Sequence, residues 1–580
     1  MVVAVHRTEY GEAAVQERIA RLELALGDID DPGNPLGAQQ FMLADEQRRM
    51  LPAAERLLDD FGLNGEFVPV RLGGRLERMD ALSRVMRAVF RRDASLGLGY
   101  GLTSYLGAVL VWASGTDAQQ RSTAELLLGG SRLAPAYPEP ARGNDFLNNR
   151  LTAAPAPGGY LLSGVKDALN NAARAGALLL FADTGGQGDE DQSVFLVQGP
   201  GPQSTGMRLT ERRRTVGVRG CTIQGIGFQE HRLGAASLLG TPGSGRAQAE
   251  RVFPLTRGPG LSMALGCVDT ALRTSVAFAR SHRSRGSASL RTTRTRTALV
   301  NAFVDLLICD CLSLVATRSV HLLPRESVTL GAVAKYLLPS VLAESVDDLS
   351  TVLGAESYSR GGTYGIFQKA ARDLPMIGLG SAGTGPSRLV VIRQLLRLPE
   401  LQGRADDAPA GLFRPFDADL PPYVPQERGL TPAADSLLAS LDASVRRAAA
   451  AAGGEQGAVL ASAAHVLATE LRSLYEECAR LAAPHGRPTL SPRAYALADR
   501  YALIVAGAAC LGVWRHRADA RSGFLADPAW AARALTRIVG RLGHREPRGG
   551  EAGEDRLLAE LLERFDDARS YDLYATAIGR

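Results

Sequence analysis

The spacing of apolar residues changes character along this chain of 580 residues, and this constrains the fold more than any other feature. Up to about residue 130 the spacing is helical, as in Ile19, Leu22 and Leu26. Short alternating runs cut by Gly, Pro and Asp then predict a β-sheet or barrel, and helical spacing returns afterwards. The predicted α+β fold has these segments: an N-terminal helical domain at 1–130, a middle β domain at 131–247, a C-terminal helical bundle at 248–401, a linker at 402–436 and a helical extension at 437–580.

The bulk composition predicts a soluble, cytoplasmic globular protein. The chain is 45% apolar and 22% charged, which is ordinary for such proteins. We expect no integral membrane segment, because no uninterrupted apolar run approaches about 20 residues. The start of the chain becomes polar too soon for a secretory signal. The six cysteines and eight histidines have no metal-ligand spacing, so we expect no metal.

Arginine supplies nearly all of the positive charge. Only Lys166, Lys335 and Lys369 are lysines among 66 basic residues. The densest basic stretch, RSHRSRGSASLRTTRTR at 280–296, indicates either a solvated face or a phosphate site. No nucleic-acid module accompanies it. A basic amphipathic helix, PAWAARALTRIVGRL at 528–542, is expected either to pack on its own domain or to lie on a membrane.

A literal G-x-G-x-x-G lies at 378–383. A dinucleotide-binding loop of this kind must follow a strand and begin a helix inside a βαβ unit. Here the preceding residues 366–374 have a helical pattern instead. The sequence therefore argues against a dinucleotide-binding loop at this position.

Several collinear strings resemble the acyl-CoA dehydrogenase family of flavoproteins. They cover about 12–400 and lie in the order of that family, which has a helical domain, a β domain and a four-helix domain. The matching strings are YPEPARGND, GYLLSGVKDALNNA, TVGVRGCTIQGIGFQEHRLGAASLLG, FPLTRGPGLSMALGCVDTALRTSVAFARSHRSRG and LGAESYSRGGTYGIFQKAARD. The part after about 431 is similar in architecture to the extension of long-chain dehydrogenases and acyl-CoA oxidases.

The resemblance implies FAD in the cleft between the β domain and the helical bundle. Several positions depart from the family residue: Pro138 replaces a threonine, Ala168 the tryptophan that stacks on the ring, His282 the pyrophosphate arginine and Thr351 a glutamine. By the resemblance, the expected cofactor-binding residues are Tyr137, Pro138, Gly143, Asn144, Ala168, Asn170, His282, Arg283, Arg285, Thr351, Gly354 and Thr384.

The catalytic glutamate of the family is missing at both of its known positions. Counting from Arg388 puts it at Ser381, and matching the Gly-Thr pair puts it at Ala382. The second position, just before the family arginine that matches Arg257, is Thr256. None of these side chains is a carboxylate base. Asp373, Glu356 and Tyr364 lie near the loop in sequence and are candidate replacements.

Three functions remain open. The first is an FAD-dependent acyl-CoA dehydrogenase-like oxidoreductase that desaturates an acyl thioester of CoA or of a carrier protein, with a non-standard base. The second is a flavin monooxygenase or oxidase on the same fold, and the third is a non-catalytic scaffold. The family completes its FAD pocket across a subunit interface, so the resemblance implies a homodimer or homotetramer. A biosynthetic role in secondary metabolism is a hypothesis drawn from the missing base.

Overall fold

The computed structural model describes residues 11–137, 139, 149–186, 191–201, 204–284, 287–379, 383–417, 419–423, 434–481, 490–517, 523–545 and 551–579. Helices come first, as predicted. A reciprocal cap starts one of them, because the Thr116 hydroxyl accepts from Gln119 N–H and the Gln119 side chain accepts from Thr116 N–H. These helices are α1 (Glu12–Leu26), α2 (Ala38–Glu46), α3 (Pro52–Phe61), α4 (Met79–Arg92), α5 (Ala94–Ser114) and α6 (Asp117–Leu128).

The middle of the chain forms one mostly antiparallel sheet. Its order in the described part is β6-β7-β3-β2-β4-β5-β8, and β1 pairs in parallel with β4. The sheet buries one face on the helices and covers the other with a small core of its own. The strands are β1 (Leu133–Ala136), β2 (Thr152–Ala156), β3 (Gly159–Asn170), β4 (Ala177–Asp183), β5 (Gln192–Gln198), β6 (Met207–Arg212), β7 (Ile223–Gly234) and β8 (Leu238–Leu239).

A bundle of long helices follows the sheet. Its first helix packs along α4 and along the next two helices of the bundle. Two prolines interrupt the hydrogen-bond ladder of that helix, Pro254 and Pro259, because each lacks an N–H. The bundle helices are α7 (Gly245–Ser281), α8 (Thr293–Leu322), α9 (Ser327–Leu353), α10 (Gly365–Asp373) and α11 (Thr384–Leu401).

The extension packs onto the bundle and shares its hydrophobic core. Its basic amphipathic helix buries Leu535 and Val539, and Arg537 Nε donates to Asp305 of α8 at 2.6 Å. Of the two expectations for this helix, packing on the protein is therefore the one observed. The extension helices are α12 (Leu441–Ala450), α13 (Glu455–Ala479), α14 (Pro492–Arg515), α15 (Pro528–Arg541) and α16 (Glu551–Asp566).

Within the described residues, three helices are long and apolar enough to span a membrane by length and composition, which the search for uninterrupted apolar runs missed. They are α5, α8 and α14, and 83–89% of their apolar windows is buried inside the protein. Helices that are apolar on all sides are typical of the core of a large protein as well as of a membrane. Burial in the core accounts for their composition.

Candidate active site

A small cavity lies where the N-terminal helices meet the bundle. It is enclosed by α5, α7, α9 and the 3₁₀ turn Leu374–Gly378, and its volume is about 60 Å³. Its polar lining residues are Thr256, Arg257 and Lys335. We call it the two-cation cavity. Its larger aliphatic lining residues are Leu98, Leu102, Leu106, Leu261, Met376 and Ile377.

Arg257 is the first cation of this cavity. It lies on α7 between the two prolines, and its side chain is 7% exposed. Its Nε and Nη1 have no hydrogen-bond partner among the described residues. Burial lowers the pKa of the Arg257 guanidinium to about 10, and no carboxylate acts against that effect. Arg257 is therefore a buried cation without a counter-ion in the described structure.

Lys335 is the second cation. It lies on α9, is 5% exposed, and its Nζ donates a hydrogen bond to the carbonyl of Ile377. Burial lowers its pKa to about 7, and the positive charge of Arg257 acts in the same direction. The Lys335 ammonium is thus easier to deprotonate than that of an exposed lysine.

The other two lysines of the chain are also buried, but each has a carboxylate partner. Lys166 Nζ lies 3.2 Å from Glu139, and Lys369 Nζ lies 2.6 Å from Asp93 and 2.7 Å from Asp373. Buried charges are normally paired in this way, because an unpaired ion loses its hydration without compensation. Within the described residues Lys335 is the exception among the three.

None of the three candidate replacement bases lines the cavity. Asp373 is buried in an ion cluster with Lys369 and Arg372 and accepts from Val218 N–H at 2.7 Å; these contacts outweigh burial and lower its pKa. Glu356 is exposed, and the Tyr364 hydroxyl lies 2.7 Å from Ser281 Oγ. Thr256, for its part, donates to the Phe253 carbonyl at 2.9 Å.

A β-bulge in β3 brings together two of the predicted cofactor-binding residues. Lys166 pairs with Ile226 and Leu169 with Gln224, so Asp167 and Ala168 together oppose one residue of β7. Ala168 takes a left-handed φ of 65°, and Asn170 Nδ2 donates to Thr103 Oγ1 at 2.8 Å. A bulge leaves backbone groups outside the ladder and is common beside active sites. This geometry is compatible with a flat ring held largely by backbone contacts.

A second set of predicted residues lies at one end of the bundle. His282 follows α7 and stacks on Phe278 with a centroid distance of 3.9 Å, while Arg283 is exposed beside it. Thr351 is exposed at the end of α9, and Gly354 follows it with a φ of 58°. No hydrogen bond or ring contact within the described residues joins this set to the β3 bulge.

Family models match two consecutive parts of the chain. The model of the acyl-CoA dehydrogenase middle domain matches residues 134–230, and that of the C-terminal domain matches residues 243–392. Residues 134–230 and 243–392 of this chain are therefore domains of the acyl-CoA dehydrogenase family. The predicted family is therefore confirmed, and the sheet between two helical parts is the expected fold.

Several known proteins are similar to this chain in sequence or in fold. The short-chain specific acyl-CoA dehydrogenase of cattle mitochondria is 29% identical over 257 residues, which are 44% of this chain and 60% of that protein. A solved acyl-CoA dehydrogenase of Bacillus anthracis, complexed with FAD, has a TM-score of 0.67 at 16% identity and covers 96% of this chain and 91% of its own. The prolyl acyl carrier protein oxidase AnaB has a TM-score of 0.55 at 20% identity over 66% of this chain and 98% of its own.

Several of the residues predicted from the acyl-CoA dehydrogenase resemblance lie outside the described part of the structure. Thr384 is described: it begins α11 after Gly383, whose φ is 71°. The residues before the G-x-G-x-x-G form α10 and a 3₁₀ turn rather than a strand, which agrees with the prediction against a dinucleotide-binding loop. Outside the described residues are Pro138, Gly143, Asn144, Arg285, Ser381 and Ala382.

The two ends of the predicted basic stretch pair with the extension. Arg280 Nη2 donates to Asp566 at 2.9 Å, and Arg296 forms an ion pair with Asp555. Both acids lie on α16. Both ends of this stretch are therefore paired with acidic residues of the extension.

Sequence reasoning missed Lys335. It stands in an apolar helical pattern, TLGAVAKYLLPS, where a core position is expected. The available signal was its chemistry, because a lysine in a chain that otherwise uses arginine suggests a specific environment. That signal could not indicate that the neighbouring side chains would include Arg257 and no carboxylate.

Proposed function

We propose that this protein is an FAD-dependent oxidoreductase that acts on an acyl thioester of CoA or of a carrier protein. The observation that carries this proposal is the two-cation cavity. It lies between α5, α7 and α9 of a chain with acyl-CoA dehydrogenase domains, and its walls are mostly aliphatic. Such walls suit the methylene groups of an acyl chain and exclude water from the reacting carbons.

The cofactor would be held by two sets of residues. Tyr137, Ala168 and Asn170 would contact the flavin from the sheet, where Tyr137 packs edge-on against Phe253 at 5.0 Å. Arg283, beside His282, offers a cation to a pyrophosphate. Bound FAD supplies the hydride acceptor for oxidation of the acyl group. The separation of the two sets supports a homodimer or homotetramer in which one copy completes the site of another.

The chain's own residues leave proton removal unassigned. Within the described lining of the two-cation cavity no side chain is a carboxylate, and residues 380–382 are Gly, Ser and Ala. A positioned base contributes about 10²–10⁴-fold to such a reaction. Any desaturation is therefore expected to be slow compared with that of relatives that have the base.

The lack of a carboxylate in the described cavity lining and at residues 380–382 favours a second candidate, a flavin monooxygenase or oxidase. Such an enzyme needs no carboxylate at this position of the chain. The two are separated by mixing the FAD-loaded protein with acyl thioesters without oxygen. Bleaching of the flavin by a thioester supports the dehydrogenase. Flavin that only an external reductase reduces, and that air then rapidly reoxidises, supports the second candidate. A cytoplasmic location and a biosynthetic role remain part of this proposal.

The β3 bulge provides a test of cofactor binding that does not depend on turnover. A Cβ at Gly225, opposite the bulge, would lie 2.8 Å from the Lys166 carbonyl oxygen and 3.1 Å from Asp167 Cα. Gly225→Ala should therefore displace the bulge and weaken FAD binding about ten-fold or more, about 1.4 kcal/mol. Bound flavin is measured by absorbance after dialysis against FAD.

Gly227→Ala is the matched control on the same strand, because the nearest atom to its Cβ is 3.7 Å away. We expect it to retain FAD like the unmodified protein. Equal FAD retention in both variants, with the fold intact by circular dichroism, would show that the bulge does not hold the flavin.

A further inference from the structure

The two-cation cavity contains positive charge that the described protein does not neutralise. Arg257 and Lys335 both line it, each is more than nine-tenths buried, and neither forms an ion pair within the described residues. Residues 380–382, which lie outside the described part of the chain, are Gly, Ser and Ala. Within the described residues this charge therefore has no counter-ion.

Elsewhere this chain pairs its buried basic residues closely. Arg87 donates to Asp310 at 3.0 Å and lies 3.1 Å from Asp572, and Lys369 contacts two carboxylates. Leaving a buried charge without such a partner costs several kcal/mol. Uncompensated charge in a cavity is typical of functional sites, where a ligand supplies the missing partner.

The free donors and the size of the cavity limit what that partner can be. Arg257 Nε and Nη1 have no acceptor among the described residues, and Lys335 Nζ has one, the Ile377 carbonyl. A volume of about 60 Å³ holds only a few heavy atoms, since one water needs about 10–15 Å³ by a comparable measure. A carboxylate with its adjoining methylene has this size, and the leucine walls suit the methylene.

We propose that the two-cation cavity binds a carboxylate of the substrate, so that the protein acts on thioesters whose acyl group carries a negative charge. The claim that the carboxylate belongs to a thioester rests on the proposed function. The claim that the cavity binds a carboxylate does not. Arg257 and Lys335 would supply charged donors to the carboxylate, and the aliphatic walls would exclude competing water.

The first test measures anion binding without cofactor or thioester. Glutarate is titrated into the full-length protein in chloride-free buffer, with neutral glutaramide as the uncharged analogue, and binding is followed by calorimetry and thermal unfolding. We expect glutarate to bind and to raise the unfolding temperature, and glutaramide to do neither. Arg257→Met and Lys335→Met should each weaken glutarate binding ten-fold or more.

Arg472→Met is the control for loss of one positive charge. Arg472 is exposed on α13 and its Nη2 donates only to Thr469 among the described residues. This variant should bind glutarate like the unmodified protein. Glutarate binding that survives both cavity variants, or glutaramide binding of equal strength, would overturn the proposal. So would chloride binding that glutarate cannot displace, because the site would then be for a small inorganic anion only.

Proton linkage gives a second readout. Arg257 is the charged group facing Lys335 in the described structure, and the free Lys335 has a pKa of about 7. A bound carboxylate favours the charged ammonium, so binding should take up protons near neutral pH and weaken as the pH rises above 7. Lys335→Met should abolish the proton uptake. If Lys335 had only a structural role, the substitution would leave the proton uptake unchanged.

The second test uses the FAD-loaded protein and separates this proposal from the proposed function. Glutaryl-CoA is compared with pentanoyl-CoA, which has the same chain length without the carboxylate. We expect tighter binding of glutaryl-CoA, and loss of that preference in Lys335→Met. Glutarate binding with no flavin response to either thioester would contradict the proposed function alone. A flavin response to pentanoyl-CoA without any preference for glutaryl-CoA would contradict the carboxylate assignment alone.

Discussion

Replacing Lys369 with methionine should lower the free energy of unfolding by about 3–5 kcal/mol. The ammonium lies between the carboxylates of Asp93 and Asp373 and is 3% exposed. Methionine fills a similar volume but leaves two buried carboxylates with less compensation. The effect is measured by urea unfolding followed by circular dichroism at pH 7.

The same substitution at Lys335 is the matched control. Lys335 is as deeply buried but has no carboxylate partner in the described structure, so methionine there should cost nothing or raise the stability by up to about 3 kcal/mol. The folded-state pKa of Lys335 lies below its ordinary value, so the unfolded chain binds more protons between about pH 7 and 10.5. The gain in the free energy of unfolding from Lys335→Met should therefore be largest near pH 7 and shrink as the pH rises. Equal losses in both variants would contradict the distinction between a paired and an unpaired lysine.

Replacing Tyr571 with alanine should cost about 3–5 kcal/mol, as for other fully buried aromatic side chains. Tyr571 lies in the tail after α16, where its ring is fully buried and the Arg273 guanidinium lies 4.9 Å from its centroid. Its N–H donates to Asp269 Oδ2 at 2.9 Å. The tail thus joins the extension to the first bundle helix, and urea unfolding measures the loss.

Tyr571→Phe isolates the ring from the hydroxyl. The hydroxyl is buried and has no hydrogen-bond partner among the described residues, so its removal should leave the stability unchanged or slightly raised. A loss in Tyr571→Phe comparable to that in Tyr571→Ala would mean that the hydroxyl has a partner and that the ring contributes little.

The order of helices, sheet and helices could be predicted because hydrophobic spacing is a local property of the sequence. The position of the C-terminal tail, residues 567–579, could not be predicted because this segment has no periodicity. It is held by hydrogen bonds to Asp269, Asp310 and Glu23, which lie on distant helices. That α8 is long and apolar enough to span a membrane was also not predicted, because a few polar residues interrupt its apolar run.

The candidate active site was only partly predictable, because sequence patterns show local features and not which distant residues meet in space. Arg257, Ala168 and Asn170 were found through short strings that resemble the acyl-CoA dehydrogenase family. The significance of Lys335 depends on what surrounds it in space, namely Arg257 on α7 and the Ile377 carbonyl after α10. The loss of the glutamate at Ser381 or Ala382 stays a sequence prediction, because both residues lie outside the described structure.

The most direct test of the account is an anaerobic absorbance titration of the FAD-reconstituted protein with glutaryl-CoA. The account predicts a protein with bound flavin whose visible absorbance falls slowly on addition of the thioester, more readily than with pentanoyl-CoA, and a loss of this preference in Lys335→Met. A protein that binds no FAD after reconstitution, or a flavin spectrum unchanged by either thioester over hours, would contradict it.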